Sequence, residues 1–96
     1  MLNYDVLMKE DIVREISEIL GYYDPEEVIL HGSPLAEYDE EAEIIYNNMC
    51  KLHVFTEYQI SDMIQLLFVK KSNRLLDFSD CFEISQKVIS TVLKYN

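Results

Sequence analysis

The chain has 96 residues, 49% of them hydrophobic, and 18 acidic side chains against 8 basic ones give it a net charge of −10. That length is one domain near the small end of what folds without staples, and the apolar share is too high for disorder. No run of about 18 apolar residues occurs, which excludes a membrane-spanning helix, and a phosphate backbone is repelled by such a charge, so no direct nucleic-acid contact is expected.

The first residues carry Asp5, Glu10 and Asp11 rather than a basic region followed by an apolar core. A signal peptide is therefore not expected, and the expected compartment is the cytoplasm. From Asp5 to Leu20, the residues Ile12, Val13, Ile16, Ile19 and Leu20 recur at helical spacing. Gly21 follows, where a left-handed cap residue belongs, so the first helix is expected to end there.

The next start signal is Asp24-Pro25-x-Glu27, a capping residue, a proline at the first helical position and a glutamate that reaches back. Tyr23 and Val28 stand at the two positions of a hydrophobic staple. Gly32 and Ser33-Pro34 stop this element, because the residue before a proline avoids the helical region. A short helix over 25–31 is expected.

Ser33-Pro34 then restarts a helix expected over 34–52, with Leu35, Tyr38, Ala42, Ile45, Met49 and Leu52 as its apolar seam. Glu40, Glu43 and Asn47 fall on the opposite side. Thr56 opens a further helix with Ile60, Met63, Ile64, Leu67 and Phe68 on one face. Lys70 and Lys71 lie at its C-terminal end, where cations suit the helix dipole. Ser79 or Asp80 is expected to cap a last helix whose buried stripe is Cys81, Ile84, Val88, Ile89, Val92 and Leu93. The reading is all-α, a single-domain compact bundle of four main helices plus one short two-turn helix. Cys50 and Cys81, without C-x-x-C spacing, read as reduced thiols on apolar helix faces.

The charge is unevenly spread. From Glu15 to Cys50 there are ten acids and no Lys or Arg, and the other eight acids are matched by the eight bases, so the whole net charge falls in this central block. Solubility is one explanation; a metal, a catalytic site or a partner surface are the others. Asp39, Glu41 and Glu43 share the start of a calcium-loop spacing, but Ile44 stands where the loop needs Gly and Cys50 where it needs a bidentate Glu. Glu27 and His31, four apart, could face one zinc ion, yet two ligands do not make a site. Cys50 and His53 could meet on a helix face, with no orienting third group or oxyanion motif. Paired-carboxylate hydrolysis needs one acid held protonated in an apolar pocket, whereas these acids sit at caps and on solvated faces. No cofactor motif occurs. A small metal-dependent regulator or enzyme using Glu27, His31 or Cys50 is the alternative.

The preferred reading is a non-catalytic protein-binding module. Acidic side chains steer a basic partner, and tyrosines supply contact area at low entropy cost. Tyr23 and Tyr38 are taken up by the staple and the seam, whereas Tyr22 and Tyr46 are required by neither. The expected partner-binding set is Tyr22, Glu26, Glu40, Glu43 and Tyr46, facing a basic protein surface; self-association into a homo-oligomer is a further option.

The order Tyr23-Asp24-Pro25, Gly32-Ser33-Pro34 and Glu37-Tyr38-Asp39 resembles the core of a domain-of-unknown-function family of short, acidic, all-helical bacterial proteins. The chain departs from that pattern at Leu35-Ala36, where an acidic pair is expected, and at Glu26-Glu27, where apolar residues or Gly are commoner. The resemblance implies a compact helical bundle of the bacterial cytoplasm with no assigned activity. By analogy it implies an immunity- or antitoxin-like role against a toxin.

Overall fold

The computed structural model describes residues 6–24, 38–52, 55–72 and 75–95. It has four helices, α1 (Val6–Tyr23), α2 (Asp39–Cys50), α3 (Glu57–Ser72) and α4 (Phe78–Lys94), and no strand among the described residues. The all-α class and the four main helices are as expected. The short helix expected over 25–31 lies outside the described residues.

In α1 the predicted stripe is buried: Ile12, Ile16 and Leu20 have no exposed surface, and Val13 and Ile19 pack against them. The predicted stop at Gly21 is wrong. The helix runs on to Tyr23, and the left-handed residue that ends it is Asp24, at φ 47°. Asp24 donates its N–H to the Leu20 carbonyl at 2.7 Å, which closes the last turn as a single left-handed cap. A glycine inside a helix costs about 1 kcal/mol, and the extra turn brings Tyr23 against the core. Asp tolerates the left-handed region better than most residues. Tyr23 is thus engaged with the bundle from the end of α1; Val28, its expected staple partner, lies outside the described residues.

α2 begins at Asp39, later than the Pro34 start predicted for it; residues 34–37 lie outside the described residues. Asp39, Glu40 and Glu41 fill its first turn, where carboxylates favour the dipole. The seam holds at Tyr38, Ala42, Ile45 and Met49, all without exposed surface, while Leu52 is partly buried. Tyr46, read as free of the core, is 5% exposed and belongs to it. It stands four residues after Ala42, so the buried stripe of α2 is one residue wider than the seam.

α3 starts as predicted. The Thr56 N–H donates to Gln59 Oε1 at 2.9 Å, and the Gln59 N–H donates to Thr56 Oγ1 at 3.3 Å, a reciprocal capping box. α4 starts earlier than predicted: the cap is Asp77, whose carboxylate accepts the Ser79 N–H at 3.2 Å, rather than Ser79 or Asp80. Its stripe is Cys81, Ile84, Val88 and Val92, but Leu93 is 51% exposed and Ser85 and Thr91 are buried instead. Helical spacing carries the stripe from Val88 to Thr91, Val92 and Tyr95, past Leu93.

Four sets of contacts fix the topology. Tyr38 meets Asp24 while Glu43 meets Lys9, so α1 and α2 run antiparallel. Tyr23 meets Glu83 while Glu15 meets Lys94, so α1 and α4 do too. Gln65 meets Leu76 while Tyr58 meets Phe82, so α3 and α4 form an antiparallel hairpin. α3 also touches α2, through Tyr38–Phe68 and Lys71–Glu41. The result is an up-down-up-down bundle, and no helix among the described residues is long and apolar enough to cross a membrane.

Candidate functional site

The predicted partner-binding set does not form one patch. Glu40 and Glu43 are exposed on α2, and they line one cleft of about 630 Å³ with Asp39 and, from α1, Lys9, Glu10 and Arg14. Tyr22, at 80% exposure the freest of the predicted tyrosines, sits in a different cleft of about 240 Å³ beside α4. Tyr46 is in the core, so its predicted role as an anchor is incorrect; Glu26 lies outside the described residues.

The acidic block is base-free along the chain but not in space. Lys9 Nζ lies 3.3 Å from Glu43 and 5.9 Å from the centre of the Tyr46 ring. Arg14 reaches Asp11 at 3.2 Å and Glu18 at 4.0 Å, one turn either side of it on α1. Lys71, from the end of α3, donates to Glu41 Oε1. Glu41, expected on a solvated face, is 2% exposed, and its Oε2 has no hydrogen-bond partner among the described residues.

On the side of α1 that meets α4, Glu15 receives Lys94 Nζ at 2.6 Å and the Tyr95 hydroxyl. Those two hydrogen bonds, Lys94 first, hold its carboxyl below the usual glutamate range. Glu15 in turn raises both Lys94 and Tyr95. Burial, aided by the hydrogen bond to Glu83 at 2.9 Å, pushes the Tyr23 phenol up to about 12. Lys87 stands 5.6 Å from the Tyr22 ring and 5.7 Å from the Tyr23 ring, which meet edge to face at 5.2 Å. Tyr22 therefore already has an internal cation over it.

Of the alternative chemistry, Glu27, His31 and His53 lie outside the described residues. Cys50 is partly buried and Cys81 buried, and both are free thiols. Burial pushes the Cys81 thiol up to about 11, the wrong direction for a nucleophile or a metal ligand. Among the described residues no three His, Cys, Asp or Glu side chains converge on a point that could hold a metal.

The sequence reading missed what lies opposite the predicted acids: Lys9, Glu10 and Arg14. Their signal was present, since they fall on the polar side of the Ile12–Ile16–Leu20 stripe, but nothing in the chain says which neighbour that side meets. No family model, curated protein or solved structure matches the chain.

Proposed function

We propose that this protein is a non-catalytic binding module that receives a basic protein surface on its α1–α2 face. The observation that carries the reading is the cleft where Glu10, Asp39, Glu40 and Glu43 stand against only two cations, Lys9 and Arg14. Such a surface steers a basic partner and repels acidic ones, while Lys9 and Arg14 offer register through their own ion pairs. Lys9 is tied to Glu43 and Arg14 to Asp11, so an incoming Lys or Arg would compete for carboxylates already held in place. In its most concrete form the module is an immunity- or antitoxin-like protein of the bacterial cytoplasm, masking a basic toxin or nuclease surface by stoichiometric binding.

The test begins with affinity capture of the partner from native cells, followed by association kinetics with the purified pair. Glu40→Lys combined with Glu43→Lys should slow association by about tenfold or more at low salt, with the difference shrinking as salt rises. Helix content should not change, because both side chains are exposed. An unchanged association rate in this double variant would sink the reading.

A further inference from the structure

Beyond the α1–α2 cleft, the bundle carries a second surface whose chemistry is more unusual. Of the seven large hydrophobic side chains exposed among the described residues, five lie on the α3–α4 hairpin; apart from Leu93 near the end of α4, they are Tyr58 at 64%, Leu66 at 58%, Leu75 at 82% and Phe78 at 62%. They are not scattered. Tyr58 packs on Phe82 at 5.3 Å and Phe82 stacks with Phe78 at 5.9 Å, which joins the start of α3 to the start of α4 in one aromatic row. Leu66 lies two turns beyond Tyr58 on the same face of α3.

Leu75 is brought alongside by a clamp. The Leu76 N–H donates to Gln65 Oε1 at 2.7 Å, and Gln65 Nε2 donates to the Leu76 carbonyl at 2.9 Å. This pair of hydrogen bonds mimics a backbone pair and pins the connector next to Gln65, where Leu75, the residue before Leu76, is exposed. Exposed apolar surface gathered in this way marks a contact site more often than chance.

The charge around it is mostly acidic. Residues 55–86 contain five acids, Glu57, Asp62, Asp77, Asp80 and Glu83, against three bases, Lys70, Lys71 and Arg74, which are grouped at 70–74; the starts of both helices hold acids alone. None of these five makes an ion pair among the described residues, in contrast to Glu15, Glu41 and Glu43, which draw in Lys94, Lys71 and Lys9. Lys9, Lys71 and Lys94 are thus drawn to the central block, and the acids at the starts of α3 and α4 keep no ion pair among the described residues. Asp62 sits one turn from Tyr58 and one from Leu66, on the same side of α3.

We propose that this face of the α3–α4 hairpin is a docking surface for a basic amphipathic helix of another protein. Two apolar rows, one along α3 and one along the connector and the start of α4, suit a helix laid lengthwise with apolar residues at i, i+3, i+4 and i+7. Lys or Arg beside that stripe would meet Asp62 and the acids at the start of α4. An acidic or neutral helix would bury the same apolar area with no charge to match, and a second copy of this chain would bring like charge against like. The site is independent of the α1–α2 cleft and stands or falls separately from it.

The probe is a synthetic 18-residue helical peptide of Leu and Lys with one apolar face, titrated against the full chain by fluorescence anisotropy (roughly five helical turns, enough to span the hairpin). Binding should weaken about tenfold or more in Tyr58→Ser with Phe78→Ser, in line with the loss of two aromatic anchors. Asp62→Lys alone should weaken it severalfold at low salt, and this second variant keeps the test open if the first fails to fold. Glu40→Lys with Glu43→Lys should leave it unchanged, and amide shifts should change at Tyr58, Leu66 and Phe78. The proposal is overturned if both patch variants bind like the wild type, or if a peptide with Glu in place of Lys binds as tightly. It is also overturned if the wild type sediments as a dimer that Phe78→Ser makes monomeric, since a second copy would then own the face.

Discussion

The hydroxyl of Tyr38 donates a 2.7 Å hydrogen bond to Asp24 Oδ1, and that bond ties the residue before α2 to the residue that ends α1. Both partners are in special positions. Asp24 has left-handed backbone, and Tyr38 has no exposed surface, its ring set edge-on to Phe68 at 6.1 Å. Tyr38→Phe keeps the ring and removes the hydroxyl that makes the bond. A hydrogen bond to a charged group contributes about 1.5–3 kcal/mol, so this variant should lose stability in that range. Tyr38→Ala, which also empties the ring's place in the core, should lose about 3–5 kcal/mol. Urea denaturation of both variants provides the check: if Tyr38→Phe unfolds at the wild-type midpoint, the bond has no net value.

The same pair shows what the sequence could and could not disclose. The apolar seams of α1, α2 and α3 were legible because a 3.6-residue period depends only on neighbours along the chain. Tyr38 was correctly placed in its seam on that ground. Gly21 and Asp24 were misread because both carry helix-stop chemistry, and the choice between them depends on whether Tyr23 gains a place against the core. Tyr46 and Glu41 were misread for a related reason. Each flanks the seam of α2, and burial there is decided by α1 and α3 arriving from elsewhere. Of the predicted site, Glu40 and Glu43 were found together because they share one exposed helix face; Tyr22 was parted from them because its own helix presents it to α4.

Glu15, Lys94 and Tyr95 give the bundle a defined dependence on pH. The carboxyl of Glu15 is depressed, so its contribution is present above the ordinary value of 4.5 and is lost as pH falls through the lower folded value. Lys94 and Tyr95 are raised from 10.5 and 10.0, so their contributions are complete below those values and are lost as pH rises through the higher folded ones. Glu15→Gln should therefore flatten both the acid limb and the alkaline limb of the stability profile. Denaturant midpoints measured across the pH range decide it: an acid limb as steep in the variant as in the wild type would show that other carboxylates set it.

The two cysteines should differ in reactivity. Cys81 is 1% exposed and its thiol is pushed up to about 11 by burial, so almost none is thiolate near neutrality. Cys50 is partly buried at the end of α2 and remains within reach of solvent. Titration of the native protein with a coloured disulfide reagent should consume one thiol per chain quickly, and mass mapping should place the label on Cys50. Cys81 should react only at the rate at which the bundle opens. Equal labelling of both would contradict the burial of Cys81.

Glu41 is the most exacting residue of the acidic block, because its carboxylate is buried and meets Lys71 on one oxygen, while the other has no hydrogen-bond partner among the described residues. Burying a charge is costly, and the Lys71 ammonium offsets that cost only while it stays in place. Removing the cation should therefore do more harm than removing the anion. Lys71→Met leaves the carboxylate buried without its ion pair, and a loss of about 3–5 kcal/mol is expected. Glu41→Leu leaves a cation whose side chain is 36% exposed and can turn towards water, so a smaller loss is expected. The double variant, with an apolar pair of similar bulk, should regain most of what Lys71→Met loses, or exceed the wild type. Thermal and urea unfolding of the three variants form a double-mutant cycle. If Lys71→Met is as stable as the wild type, the ion pair has no structural role, and if the double variant is worse than either single one, the pair stabilises the bundle outright.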